Sequence, residues 1–162
     1  MRVAYADPPY VGQAKRHYGS DEVDHKELIW ATLAEYDAWA LSCSSPSLQY
    51  LLDLCPEGVR VMAWVKPFAS FKPNVNPAYA WEPVIVMGGR KRTRDELTVR
   101  DWTSANITLQ KGLHGVKPWA FCVWLFEVLN LRPEDEFDDL FPGSGAVTRA
   151  WEQWQRSMRM TA

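Results

Sequence analysis

Short β-prone runs alternate with helical patterns along this chain, and that alternation decides what it can fold into. The run Arg2 to Ala6 ends at Asp7-Pro8-Pro9-Tyr10, because two prolines cannot continue a central strand. Residues His25 to Glu35 place Leu28, Ile29, Ala31, Thr32 and Leu33 at helical spacing. Trp39 to Cys43 reads as a buried strand, and Ser45-Pro46 starts a helix that runs to about Cys55. Val59 to Val65 is a strand closed by Lys66-Pro67, and Phe68 to Ala80 reads as an ordered loop. Trp81 to Met87 is strand-like, with Pro83 assigning it toward a sheet edge. A polar stretch, Gly88 to Gly115, precedes the apolar helix Pro118 to Leu129. Asp135 to Phe141 is a strand, Pro142-Gly143-Ser144-Gly145 a tight turn, and Ala146 to about Arg156 the closing helix. Strands alternating with helices predict an α/β fold: a mostly parallel sheet covered on both faces.

The 162 residues fit one domain, with 47% apolar and 23% charged content. A net charge of -2 excludes holding nucleic acid by bulk electrostatics, so any such affinity must be local. The three cysteines, Cys43, Cys55 and Cys122, form no C-x-x-C pair and read as buried thiols of a reducing compartment. His17, His25 and His114 show no metal spacing. The N-terminal residues lack a signal-peptide pattern, and no apolar run has the length of a membrane span. The expectation is a metal-free cytoplasmic protein.

Two segments carry chemistry, and both directly follow an expected strand. In such sheets ligands sit at the carboxyl ends of strands. In Phe141-Pro142-Gly143-Ser144-Gly145 the glycines permit a sharp turn and close backbone approach, which suits an adenosine-type cofactor. No Gly-Lys-Ser/Thr follows, so it is not a P-loop, and Thr148 stands where a dinucleotide fingerprint has its third glycine. In Asp7-Pro8-Pro9-Tyr10 the prolines stiffen the backbone and hold an acid and an aromatic in fixed relation. The carboxylate and the Pro8 carbonyl can each accept a hydrogen bond from an amino group, freeing its lone pair for attack, while Tyr10 stacks on the attached base.

D-P-P-Y followed late in the chain by F-x-G-x-G resembles the amino-group DNA methyltransferases in their permuted, beta-class-like order, with the catalytic half first. Lys117-Pro118 with its apolar helix resembles the family's cofactor-side helix, and Trp81-Glu82-Pro83-Val84 resembles the strand after its catalytic region. The resemblance spans Asp7 to Trp151. It implies a Rossmann-like methyltransferase fold in one domain: a catalytic half over 1–87, a short recognition or linker segment over 88–116, and a cofactor half over 117–157. It further implies S-adenosylmethionine (SAM) as cofactor and methylation of a flipped-out base, adenine N6 in DNA first, with cytosine N4, RNA adenine or a non-catalytic binding module as alternatives. The implied catalytic residues are Asp7, Pro8, Pro9 and Tyr10; the cofactor residues are Lys117, Asp139, Phe141, Gly143, Ser144 and Gly145. Phe68, Phe71, Lys72 and Tyr79 are candidates for the base pocket, and Arg90, Lys91, Arg92 and Arg94 for phosphates. The family continues past the cofactor helix to an acid that grips the ribose. Here the sequence ends at Ala162, and the expectation is that another residue takes that role, that cofactor binding is weak, or that a homodimer or partner subunit completes the site. No Pro-Cys nucleophile is present for ring-carbon methylation; Cys55-Pro56 has the reverse order.

Overall fold

The computed structural model describes residues 1–14, 21–68, 74–108 and 116–161. Six strands form one sheet: β1 (Arg2–Ala6), β2 (Ala38–Ser42), β3 (Arg60–Val65), β4 (Trp81–Gly88), β5 (Trp102–Ser104) and β6 (Glu136–Asp139). Their order is β5-β3-β4-β2-β1-β6. β1 pairs in parallel with β2 and with β6, and β3 with β5, while β4 runs antiparallel to both β2 and β3. Five strands therefore share one direction, and β4 alone is reversed.

Period-2 alternation builds two cores from the same strands. On one face Val3, Tyr5, Ala38, Ala40, Met62, Trp64, Val84 and Val86 are buried against α3 (Trp119–Val128) and α4 (Ala146–Thr161). On the other face Ala4, Ala6, Trp39, Leu41 and Ile85 pack with α1 and α2. Here α1 is a continuous helical stretch made of an α-turn His25–Glu27, a π-turn Leu28–Thr32 and a 3-10 turn Leu33–Glu35; α2 joins a 3-10 turn Ser45–Ser47 to Leu48–Leu54. Asp24 caps α1, its side chain accepting from the Lys26 and Glu27 amides. The helix α3 is apolar almost all round, and it buries Phe121, Cys122, Trp124, Leu125 and Phe126 while Trp119, Ala120 and Glu127 stay exposed. In contrast, α4 buries only the stripe Val147, Ala150, Trp151 and Trp154.

One expectation is overturned. β4 lies inside the sheet, between β2 and β3, and not at an edge. Pro83 is tolerated there because of its row. Opposite it on β3, the Ala63 amide turns away to the Asp101 carbonyl. On the other side the Pro83 carbonyl accepts from the Cys43 amide at 3.1 Å, one residue past the end of β2. The missing N–H thus costs only the last rung, at the end of the β2–β4 ladder. The polar stretch also contributes β5, a three-residue strand at the sheet edge too short to carry a periodic signal.

Candidate active site

β1 and β6 are neighbouring parallel strands, with Tyr5 opposite Asp139 and the Leu140 amide donating to the Tyr5 carbonyl at 2.9 Å. The segment after β1 leads to α1 on one face; the turn after β6 leads to α4 on the other. This is the divergence that opens a crevice at the carboxyl ends of a sheet. The proline corner and the glycine turn, distant in sequence, therefore emerge side by side at that crevice.

The corner is tied to β4 and to the entry of α3 through charges. Lys117, a buried lysine ahead of α3, places Nζ 3.1 Å from Asp7 Oδ1 and 2.5 Å from Glu82 Oε1. The second Glu82 oxygen, Oε2, accepts from Lys66 Nζ at 2.8 Å and from the Tyr10 hydroxyl at 2.9 Å. Burial of this group is offset because each carboxylate faces an ammonium. For Glu82, burial alone raises the pKa, but Lys117 and then Lys66 overturn that and hold it at about 2. For Asp7, burial dominates; Lys117 opposes it, Glu82 adds to it, and the carboxyl rises to about 6. Burial lowers the Lys117 pKa, yet Asp7 and Glu82 together leave it raised and the ammonium charged. Burial, with Glu82 and Asp7 nearby, pushes the Tyr10 hydroxyl up, so it stays protonated and donates. Beneath the corner, Tyr5 and Ser42 share a buried hydroxyl–hydroxyl bond of 2.8 Å.

The glycine turn has an unusual backbone and an open side. Gly143 and Gly145 adopt φ of +46° and +71°, the left-handed region where other residues are strained. A Cβ on Gly143 would meet nothing nearer than the Phe141 carbonyl at 3.8 Å, so the turn is open on that side. Arg149 braces it, donating to the Ser144 carbonyl at 2.8 Å. At the end of β6, Asp139 Oδ2 accepts from the Thr148 hydroxyl at 3.1 Å. Oδ1 is buried with no partner among the described residues. Burial raises the Asp139 pKa, with Thr148 countering. An orphaned buried acceptor beside an open glycine turn is a place where a ligand's donor belongs.

The fold is similar to that of M1.HpyAVI. Crystal structures of the M1.HpyAVI–SAM complex and of M1.HpyAVI match this chain with TM-scores of 0.64 and 0.60. Each is 18% identical and covers 96% of this chain, which spans 78% and 77% of the matched chains. No protein-family model matches the sequence, and no curated protein does. The α/β architecture expected from the residues, a mostly parallel sheet with helices on both faces, is the one observed.

Other sequence candidates fall in different places. Phe68 follows β3 at the crevice end of the sheet and is exposed, as are Tyr79 and Trp81 at the start of β4. Phe71 and Lys72 lie outside the described residues. The basic run leaves β4 at the opposite end, because β4 is the reversed strand. There Arg90 forms a paired bond with Asp135, at 2.9 and 3.0 Å, and Arg92 donates to the Leu97 and Glu127 carbonyls. Lys91 and Arg94 are exposed at that same remote end. Lys117 stands between Asp7 and Glu82. Glu82 and Lys66 were not among the residues singled out. The signal that marks Glu82 is a lone carboxylate at the head of an otherwise apolar run, Pro83-Val84-Ile85-Val86. Among the described residues no group of His, Cys, Asp or Glu could hold a metal ion, and no helix is long and apolar enough to cross a membrane.

Proposed function

We propose that this chain is an SAM-dependent methyltransferase of a base amino group, acting on adenine N6 in DNA, with the permuted order of halves described above as a single domain. The observation that carries this reading is the adjacency of the Asp7 corner and the Gly143–Gly145 turn on neighbouring strand ends. The M1.HpyAVI–SAM complex, with the same architecture, supports SAM as the cofactor.

SAM, when bound, supplies an electrophilic methyl group. Gly143, Ser144 and Gly145 allow close backbone approach, Phe141 flanks the turn, and Asp139 Oδ1 accepts a donor from the cofactor. Asp7 and the Pro8 carbonyl accept the two amino hydrogens of the flipped base, which localises the nitrogen lone pair. With a pKa of about 6, Asp7 is ionised at neutral pH and can also receive the surplus amino proton at its carboxylate. Tyr10 offers its ring to the base, and exposed Phe68, Tyr79 and Trp81 offer stacking faces around the same opening. Catalysis of this kind is positioning and electrostatics.

The test is to incubate the protein with labelled SAM and, in parallel, unmodified DNA or RNA, digest to nucleosides and analyse by mass spectrometry. N6-methyldeoxyadenosine is expected. Methylated cytosine or methylated RNA adenosine would change the target, and absence of any methylated base together with absent SAM binding by calorimetry would overturn the reading. Asp7→Ala is expected to lower turnover by about 100-fold or more with the fold retained by circular dichroism, because Lys117 keeps Glu82 as its counter-ion.

A further inference from the structure

Glu82 is 3% exposed and sits on the reversed strand β4, across the crevice from Asp7. Its two oxygens do different work. Oε1 takes the Lys117 ammonium, which also reaches Asp7; Oε2 takes the Tyr10 hydroxyl and Lys66. An acid so deeply buried and so fully bonded is costly to keep unless its geometry matters. We propose that Glu82 is the positioning residue of this site, holding the Tyr10 ring with one oxygen and the Lys117–Asp7 pair with the other, so that the stacking face and the amino-group acceptor are set from one point.

This rests on the methyltransferase reading for its purpose, but its physical content does not. Tyr10 follows two prolines, which limit the backbone but leave the ring free to swing about its side-chain torsions. The bond from its hydroxyl to Glu82 removes that freedom. Lys117 is shared between two carboxylates, and the share Glu82 takes is lost to Asp7. The charged and titratable groups facing Asp7 are Lys117 ahead of α3, Glu82 on β4, Asp139 on β6, and Tyr5, Tyr10 and Cys43 around β1 and β2. Neutralising Glu82 therefore removes a nearby negative charge and releases Lys117 to Asp7; both effects favour the ionised Asp7.

The deciding experiment compares wild type with Glu82→Gln and Glu82→Leu. Glutamine keeps an acceptor for the Tyr10 hydroxyl; leucine keeps neither bond. Carboxyl carbon-13 NMR of the ligand-free protein should show the Asp7 titration midpoint moved to lower pH in Glu82→Gln. An unmoved or raised midpoint overturns the proposal, whatever the enzyme does. In steady-state assays the acid limb of kcat/KM should move the same way in Glu82→Gln. Glu82→Leu should raise KM for DNA by about tenfold or more, with Glu82→Gln closer to wild type. Equal KM values in all three proteins would overturn the role assigned to the Tyr10 bond. If Glu82→Leu fails to fold by circular dichroism, the Glu82→Gln arms decide alone. If the wild type transfers no methyl group, the function proposed above fails, and the NMR arm still decides the role of Glu82.

Discussion

Asp7 and Glu82 are both carboxylates at the same crevice, and their surroundings push them in opposite directions. Asp7 is half-buried and shares one ammonium, and its carboxyl stands at about 6; Glu82 has two ammonium partners and stands at about 2. Environments that separate two acids in this way assign them different tasks. Glu82 remains a fixed anion, and Asp7 is the group whose charge changes in the working range. Activity should fall as pH drops through about 6, as Asp7 takes up a proton and loses its acceptor; a kcat/KM profile measures this. Gly143 offers a second test at this scale. Its left-handed φ and the open space beside it mean that Gly143→Val both strains the turn and fills the cradle. Loss of SAM binding by calorimetry, with retained helical circular dichroism, is the expected result.

At the scale of elements, the glycine turn is held by what α4 packs against. Phe126, Phe137, Trp151 and Trp154 form one aromatic cluster with ring centroids 5.2–5.6 Å apart. It joins α3, β6 and α4, the three elements that carry or flank Asp139 and the turn. Trp151→Ala should cost about 3–5 kcal/mol of stability, read from denaturant unfolding. Because the turn is anchored at Ala146, SAM affinity should weaken in the same variant. Apart from β5, the strand and helix order was legible because the elements are long enough to show their period. β4 was legible as a strand but not as an interior one, since a proline's cost depends on whether its row of the sheet needs an N–H. β5 was not legible, because three residues hold too little pattern.

At the scale of the whole molecule, the two ends of the sheet have different electrostatic roles. The carboxyl end holds the crevice. The other end holds Asp135, 1% exposed at its side chain, which accepts from the Met1 amine, Arg90 and the Arg132 amide. Burial raises its pKa, but the bonds from Arg90 and the amine hold it at about 2. A carboxyl with a folded pKa below its unfolded value stabilises above the ordinary carboxylate range and loses that contribution as pH falls toward 2. Asp7 has the opposite sign: its stabilising contribution is present at low pH and is lost as pH rises through about 6. Asp135→Asn should therefore destabilise the fold by about 3 kcal/mol at neutral pH. That difference should shrink as pH falls through the carboxylate range in parallel unfolding curves.

Local chemistry alone determined the strand ends, the stiffness of Asp7-Pro8-Pro9-Tyr10 and the left-handed demand of Gly143 and Gly145, because each depends on backbone sterics within a few residues. Only the tertiary structure decided that these two segments lie side by side, that Glu82 and Lys66 join them, and that Arg90 serves Asp135 at the far end. Pairing between residues tens of positions apart depends on sheet order and strand direction. A single reversed strand, β4, carries Glu82 into the crevice and the basic run away from it, and no local signal encodes that reversal.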